Sequence, residues 1–369
     1  MSTILITIGV ITGITTLLAL LLTFADAFIA DYGIKKILIN KNKELEIEGG
    51  NTLLSTLVNE KIFIPSACGG KGSCGYCKCK VNSGGGPVLA TELPYLSKGD
   101  KENNIRLSCQ IKVKEDMEIE IPEELFNVKA YKGVVEEIVD ITDKIKFVRF
   151  KITSNDPSTI DFNAGQYIQL TAPPYPSSPE EVYRAYSIAS ATKDKNHINL
   201  LIGYVEDGLL TTYVHQHLNQ GSSVNFTGPY GDFYLQDTDA EIVLVAVGTG
   251  MAPILSILYE LIDQKSQRKA TFFFGARTKS DLFMLEEMDI FERELPNFKF
   301  IPTLSRPNAE EEWTGEVGRV NNSIEKILEY SDAPREAYLC GSAPMIDSTV
   351  DSLLAKGIRE DKIYFDKFD

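Results

Sequence analysis

Twelve residues, Ser66-Ala67-Cys68-Gly69-Gly70-Lys71-Gly72-Ser73-Cys74-Gly75-Tyr76-Cys77, constrain this chain more than any other stretch. Three cysteines share one Gly-rich loop, and a fourth follows in Leu107-Ser108-Cys109-Gln110. The spacing is Cys-x5-Cys-x2-Cys, then a long gap, then one Cys. Four thiolates, Cys68, Cys74, Cys77 and Cys109, can hold a [2Fe–2S] cluster. A loop that wraps a cluster must turn tightly, adopt positive φ and bring backbone N–H groups near the sulfurs. Gly69, Gly70, Gly72 and Gly75 supply that freedom. A structural zinc site would more often use paired Cys-x2-Cys knuckles. Disulfides would need an oxidising compartment and no glycines. The cluster stands ahead of both. Cys79, a fifth thiol beside the loop, reads more readily as a packed strand residue than as a ligand.

The plant-type ferredoxin pattern has a first gap of four residues. This loop is one residue longer, as in adrenodoxin-like ferredoxins. The surrounding pattern agrees. Ile34 to Asn40 and Glu44 to Glu48 read as two short strands around a turn. Thr52 to Asn59 suits a short helix with Thr52 as N-cap. Met117-Glu118-Ile119-Glu120-Ile121 alternates apolar and acidic, a strand with one wet face. This is the order of a β-grasp ferredoxin, over residues 34–126.

Upstream, Ile4 to Ala25 is an uncharged apolar run of about 22 residues, long enough to cross a bilayer as a helix. A secretory signal would begin with a positive segment, and none precedes it. The run, within residues 1–30, is expected to be a transmembrane anchor. Lys35 and Lys36 after it place the large remainder in the cytoplasm, so the chain is expected to be single-pass in the inner (cytoplasmic) membrane. Gly9-x-x-x-Gly13 suits close approach of a partner helix, though chance small residues explain it equally well.

Downstream, at 130–235, short strands follow one another: Val134 to Val139, Ile145 to Ile152, and Tyr167 to Leu170. Their regular spacing predicts an antiparallel barrel. Ala172 to Pro179 reads as a Pro-rich surface loop. From Ala240 to the end, strands and helices alternate. Glu241 to Val247 is nearly all apolar, as in a strand buried on both faces of a parallel sheet. Ile254 to Gln264 reads as a helix. Thr271 to Gly275, Phe298 to Pro302 and Ala337 to Gly341 read as further strands of a doubly wound nucleotide-binding fold. The fold class is therefore multidomain: an N-terminal helix, an α+β ferredoxin domain, a β-barrel and an α/β domain.

Net charge is -15 over 369 residues, which disfavours a nucleic-acid partner. His215 and His217, two apart in a predicted helix, do not share a face and suit the surface better than a metal site.

Arg184-Ala185-Tyr186-Ser187 resembles the Arg-x-Tyr-Ser motif of the ferredoxin–NADP+ reductase superfamily. That resemblance implies FAD. Arg184 would pair with a flavin phosphate, Tyr186 would lie against the isoalloxazine and Ser187 would hydrogen-bond near N5. Gly208 to Val214, with Thr211, looks like the family's second phosphate-binding turn at a helix N-terminus. Gly228-Pro229-Tyr230-Gly231-Asp232-Phe233 looks like its barrel-closing turn. Gly248-Thr249-Gly250-Met251-Ala252-Pro253 matches the superfamily's Gly-x-Gly-x-x-Pro nucleotide turn, in which Gly248, Gly250 and Pro253 serve a pyrophosphate. Cys340-Gly341-Ser342-Ala343-Pro344-Met345 resembles its Cys-Gly-x-x-x-Met motif, which places Cys340 and Gly341 near the nicotinamide. Asp281 suits a ribose hydroxyl, while Arg277 and Lys279 suit a 2′-phosphate; the resemblance to NADH-using members favours NADH.

Anchor, ferredoxin, flavin barrel and nicotinamide domain, in that order, resemble the F subunits of Na+-translocating NADH:quinone reductases over essentially the whole chain. The likeness is densest at Ile64 to Gly70, Val81 to Gly86, Met117 to Glu124, Arg184 to Ser187 and Asp237 to Glu241. Departures lie at the short segment Ala172 to Tyr183, at Ser342 to Met345, and at the end, where Phe368 matches a family Phe that covers the flavin and Asp369 replaces a Gly. The resemblance implies an NADH dehydrogenase that passes electrons from NADH to FAD to the cluster and on to a membrane acceptor, with other membrane subunits as partners. A stand-alone anchored reductase serving another redox partner is the alternative, and a non-catalytic electron-transfer adaptor a third.

Overall fold

A computed structural model describes residues 2–29, 32–308 and 312–368. Asp369 lies outside the described residues. The chain divides into two compact units, 1–127 and 128–369.

The first unit opens with α1 (Ser2–Ile29), one uninterrupted helix of 28 residues that contains the predicted Ile4 to Ala25 run. Its side chains are described only at 6–19 and 21. Counting those residues, no helix is long and apolar enough to cross a membrane. Within that stretch the large apolar residues, among them Ile6, Val10, Ile14 and Leu17, are all more than half exposed. Thr12 and Thr15 donate their hydroxyls to the carbonyls of Ile8 and Ile11, so neither needs an outside partner.

After α1, the chain forms β1 (Ile34–Ile39), β2 (Lys43–Glu48), α2 (Leu53–Asn59), β3 (Lys78–Ser83), α3 (Lys98–Glu102), β4 (Ile105–Leu107) and β5 (Met117–Glu120). The sheet order is β2-β1-β5-β3-β4. β1 and β2 form an antiparallel hairpin and β1 runs parallel to β5, which closes the unit on itself. Thr52 caps α2 as expected, its side chain accepting from the Ser55 N–H at 3.2 Å. The alternation seen in Met117 to Ile121 puts Met117, Ile119 and Ile121 in the core with Ile37, Ile39, Leu53 and Leu57.

The second unit holds two sheets. The first comprises β6 (Lys129–Asp140), β7 (Ile145–Ile152), β8 (Tyr167–Ala172), β9 (Val182–Ser187), β10 (His197–Gly203) and β11 (Ser223–Tyr230), with α4 (Leu209–Gln216) between the last two. Its order is β10-β7-β6-β11-β8-β9, and every pairing is antiparallel. Just past β9 the Ala189 N–H donates to the Asn199 carbonyl of β10 at 2.8 Å, bringing the two ends together as a barrel requires. Phe150, Ile168, Leu170, Leu200 and Phe226 fill it. His215 is half-buried rather than on the surface: its Nε2 lies 3.0 Å from the Ile202 carbonyl, and burial lowers its pKa.

The second sheet is parallel: β12 (Glu241–Val247), β13 (Ala270–Ala276), β14 (Phe298–Leu304), β15 (Glu316–Val317), β16 (Arg335–Ser342) and β17 (Ile363–Phe368), in the order β15-β14-β13-β12-β16-β17. Helices α5 (Met251–Asp263), α6 (Leu285–Glu294), α7 (Val320–Ile327) and α8 (Ala343–Ala355) pack on it. β12 is buried on both faces: Ile242, Leu244 and Ala246 join one apolar cluster, Val243 and Val245 the other. From β12 the strands run outward to β13 on one side and to β16 on the other. That reversal opens a crevice at the carboxyl ends of β12 and β16, where open parallel sheets bind ligands.

Candidate functional site

The cysteine loop is shaped by its glycines: Gly69, Gly70, Gly72 and Gly75 have φ of 69°, 79°, 74° and 73°. The Gly70 N–H is tied to the hydroxyl of fully buried Ser66 at 2.9 Å. The four thiols fall into two pairs. Cys68 and Cys74 sulfurs lie 3.4 Å apart, and Cys77 is hydrogen-bonded to Cys109. Among the described residues no three Cys, His, Asp or Glu converge as a single-ion site would require. Two pairs, one from Cys68 and Cys74 and one from Cys77 and Cys109, suit a two-iron cluster that takes two thiolates per iron. Within each pair one sulfur becomes the acid. The hydrogen bond from Cys74 brings the Cys68 thiol down to about 4, and that from Cys77 brings Cys109 to about 7. Cys74 and Cys77 are pushed up by the same contacts and by burial. Cys79 sits in the core, its thiol raised to about 12 by burial, and pairs with Arg106 across β3 and β4 rather than joining the four.

Sequence reasoning missed the support of this loop. Glu92 is fully buried and Arg106 nearly so. Arg106 Nε and Nη2 donate to Glu92 at 2.9 and 2.7 Å. The same guanidinium donates to the carbonyls of Gly86 and Pro87. Glu92 also accepts from the N–H of Leu107, two residues before Cys109, and from that of Leu89. Burial pushes the Glu92 carboxyl up, but the Arg106 hydrogen bond and charge and the two N–H groups outweigh it and hold the carboxyl below the ordinary range.

On the barrel, β9 carries Arg184, Tyr186 and Ser187 on the strand next to β8, with Tyr167 opposite Ser187 and Leu170 opposite Arg184. Ser187 is buried and its hydroxyl has no partner among the described residues. Among the described residues the Nε2 of buried Gln169, opposite Ala185, has none either. Arg184 donates to the Tyr183 carbonyl at 2.7 Å and makes no salt bridge to a carboxylate among the described residues. Burial raises the Tyr186 phenol pKa. Orphaned buried polar groups are costly, and an isoalloxazine with a phosphate-bearing tail has the acceptors and donors to satisfy them. Thr211 behaves differently: its hydroxyl turns back to the Gly208 and Val205 carbonyls at 3.1 and 3.2 Å and fixes the start of α4.

At the sheet crevice a cavity of about 620 Å3 is lined by Gly248, Asp281, Ser342 and Met345, and by Lys144, Arg277, Arg319 and Asn321. Of the predicted residues, Gly248, Arg277 and Asp281 face this cavity. Gly250, Pro253, Cys340 and Gly341 are not among its lining. Cys340 is fully buried, its thiol raised by burial and then by Asp366. Asp281 uses one oxygen on its own turn, accepting from the N–H and hydroxyl of Thr278, both at 2.9 Å. Phe368 pairs with Ser342 at the edge of the same crevice. The sequence reading missed Lys144, Arg319 and Asn321; the Asn321 Oδ1 is buried without a partner among the described residues. For Arg319 and Asn321 the signal was the Gly318-Arg319 turn between β15 and α7, a strand–Gly–helix step like the one at Gly248; Lys144 had no such signal. Three cations and one carboxylate in a crevice of this size suit a nucleotide with charged phosphates.

Three family models match in chain order: a 2Fe-2S iron-sulfur cluster binding domain at residues 37–114, an oxidoreductase FAD-binding domain at 132–234 and an oxidoreductase NAD-binding domain at 244–351. The chain is thus an NADH-dependent oxidoreductase with a [2Fe–2S] cluster and FAD as cofactors. Amycolatopsis cytochrome P450 reductase GcoB has the same fold, with a TM-score of 0.73 at 24% identity over 90% of this chain and 98% of that one. The ferredoxin reductase in carbazole 1,9a-dioxygenase is similar, with a TM-score of 0.71 at 23% identity, covering 91% of this chain and 99% of that one. The F subunit of the Na(+)-translocating NADH-quinone reductase of Neisseria meningitidis (strain FAM18) is 37% identical over 97% of both chains. That of Idiomarina loihiensis is 34% identical over 98% of both. The chain belongs to the family of F subunits of Na+-translocating NADH-quinone reductases.

Proposed function

We propose that this protein is the electron-input subunit of a membrane-bound Na+-translocating NADH:quinone reductase. The observation that carries the reading is the similarity to F subunits of such reductases along the full length of both partners. When bound, NADH supplies a hydride to FAD and the cluster carries single electrons onward, which matches a two-electron donor to a one-electron carrier.

The chain's own residues then have defined tasks. Cys68, Cys74, Cys77 and Cys109 hold the cluster. Arg184 holds a flavin phosphate, Tyr186 lies against the flavin ring and Ser187 gives its unpaired hydroxyl to the ring nitrogen side. Thr211 fixes the turn at α4. Gly248, Gly250 and Pro253 shape the pyrophosphate turn, Asp281 takes a ribose hydroxyl, and Cys340 and Gly341 back the nicotinamide position. Phe368 covers the flavin. Hydride transfer asks no proton of the protein, so these residues act by orientation and by excluding water.

The functional parts are residues 1–30 as anchor, 34–126 as ferredoxin, 130–235 as FAD barrel and 240–369 as NADH domain. Support for a single-pass anchor is physical. The described run of exposed apolar residues on α1 suits lipid, and the back-bonded Thr12 and Thr15 hydroxyls have their partners within the helix. Lys35 and Lys36 favour cytoplasmic catalytic parts in an inner membrane. The test is purification from membranes in mild detergent with identification of associated chains. Polytopic membrane subunits should co-purify with the NADH-oxidising activity. Recovery of the chain alone, or recovery outside the membrane fraction, would contradict the reading.

A further inference from the structure

Beside the cysteine loop, one amide side chain is fixed from both ends. The Thr91 hydroxyl donates to Gln110 Oε1 at 2.8 Å. Gln110 Nε2 lies 3.5 Å from the Cys109 sulfur and also 3.5 Å from the Cys109 carbonyl. The orientation follows from chemistry. A thiolate ligand accepts and cannot donate, so the amide must turn its N–H groups to the sulfur and its oxygen to Thr91. Space for this exists because residue 72 is glycine: a β-carbon there would sit 2.5 Å from Gln110 Nε2 and 2.9 Å from its Cδ. Thr91 is itself held in place, since its neighbour Glu92 is locked to Arg106 in the core.

From this geometry we infer that Gln110, oriented by Thr91, donates a hydrogen bond to the Cys109 sulfur and sets the reduction potential of the cluster upward. Reduction adds negative charge that spreads onto the sulfurs. A donor aimed at a ligand sulfur therefore stabilises the reduced form more than the oxidised one. Gln110 is a positioning and tuning residue, and the inference rests on the cluster being held by the four cysteines.

The experiment is a redox titration of the [2Fe–2S] electron paramagnetic resonance signal in the full-length protein purified from membranes. Gln110→Leu, close in volume and without a donor, should lower the midpoint potential. Thr91→Val, which frees the amide without removing it, should shift it the same way by less, and Thr91→Ser should restore the parent value. Cluster-loaded Gln110→Leu and Thr91→Val proteins that both titrate at the parent potential would overturn the inference. If Gln110→Leu loses its cluster, the Thr91→Val and Thr91→Ser pair decides on its own. A parent protein with no [2Fe–2S] signal would instead sink the cluster assignment.

Discussion

Gly250 and Cys340 meet backbone to backbone: a β-carbon on Gly250 would lie 2.2 Å from the Cys340 carbonyl oxygen. This contact seats the turn between β12 and α5 directly on β16 and so fixes the turn whose Gly248 lines the crevice. Carbonyl oxygen in a sheet cannot move aside as a flexible side chain would. Gly250→Ala should therefore destabilise the second unit by about 1–3 kcal/mol, the usual cost of overpacking, and weaken NADH binding. Thermal melting and an NADH titration check it. A variant with unchanged melting temperature and affinity would show that the turn yields freely.

The buried Glu92–Arg106 pair should make the first unit sensitive to acid. The Glu92 carboxyl is held below its ordinary value, so the stability it contributes is fully present above the unfolded-state pKa of about 4.3 and is lost as pH falls through the folded-state value. Glu92→Gln should flatten that acid limb. Glu92→Ala leaves a buried guanidinium alone and should cost about 3–5 kcal/mol. Denaturation of the full chain followed at the cluster absorbance, at pH 7 and at falling pH, reads both effects. An acid limb of the same steepness in Glu92→Gln would remove Glu92 from the explanation.

Ser187 offers a buried hydroxyl with no partner among the described residues. Removing one neutral hydrogen bond of about 1 kcal/mol predicts roughly fivefold slower or weaker flavin reduction by NADH in Ser187→Ala. Stopped-flow bleaching of the flavin measures it. Parent flavin content together with a parent reduction rate would mean that this hydroxyl does not face the ring.

Legibility in the sequence followed the strength of local patterns. β7 and β12 have the bounds their apolar patterns predict, 145–152 and 241–247, because burial on one or both faces wrote itself into every residue. β9 is less visible as a strand: its Arg184, Tyr186 and Ser187 blur the alternation. β17 was not read at all. Ile363-Tyr364-Phe365-Asp366-Lys367-Phe368 is a short edge strand with mixed exposure, placed by its parallel partner β16 and by α8, whose Asp347 pairs with Lys367. The cysteines and the Gly248 turn are local and were readable. The Glu92–Arg106 pair and the Thr91–Gln110 contact join residues 14 and 19 apart. Lys144 reaches the nucleotide cavity from the β6–β7 turn, far from the sheet motifs in sequence. Such contacts exist only once the fold is made.

Electrons are proposed to pass from NADH to flavin to cluster, and Cys68→Ala probes that order without touching the flavin or nucleotide sites. Loss of one of the paired ligands should abolish the [2Fe–2S] paramagnetic signal and stop electron delivery to the membrane acceptor. NADH oxidation by a small artificial acceptor that takes electrons from the flavin should continue at close to the parent rate. If that dehydrogenase activity disappears in a folded, FAD-loaded Cys68→Ala protein, the cluster cannot lie downstream of the flavin, and the proposed sequence of carriers is wrong.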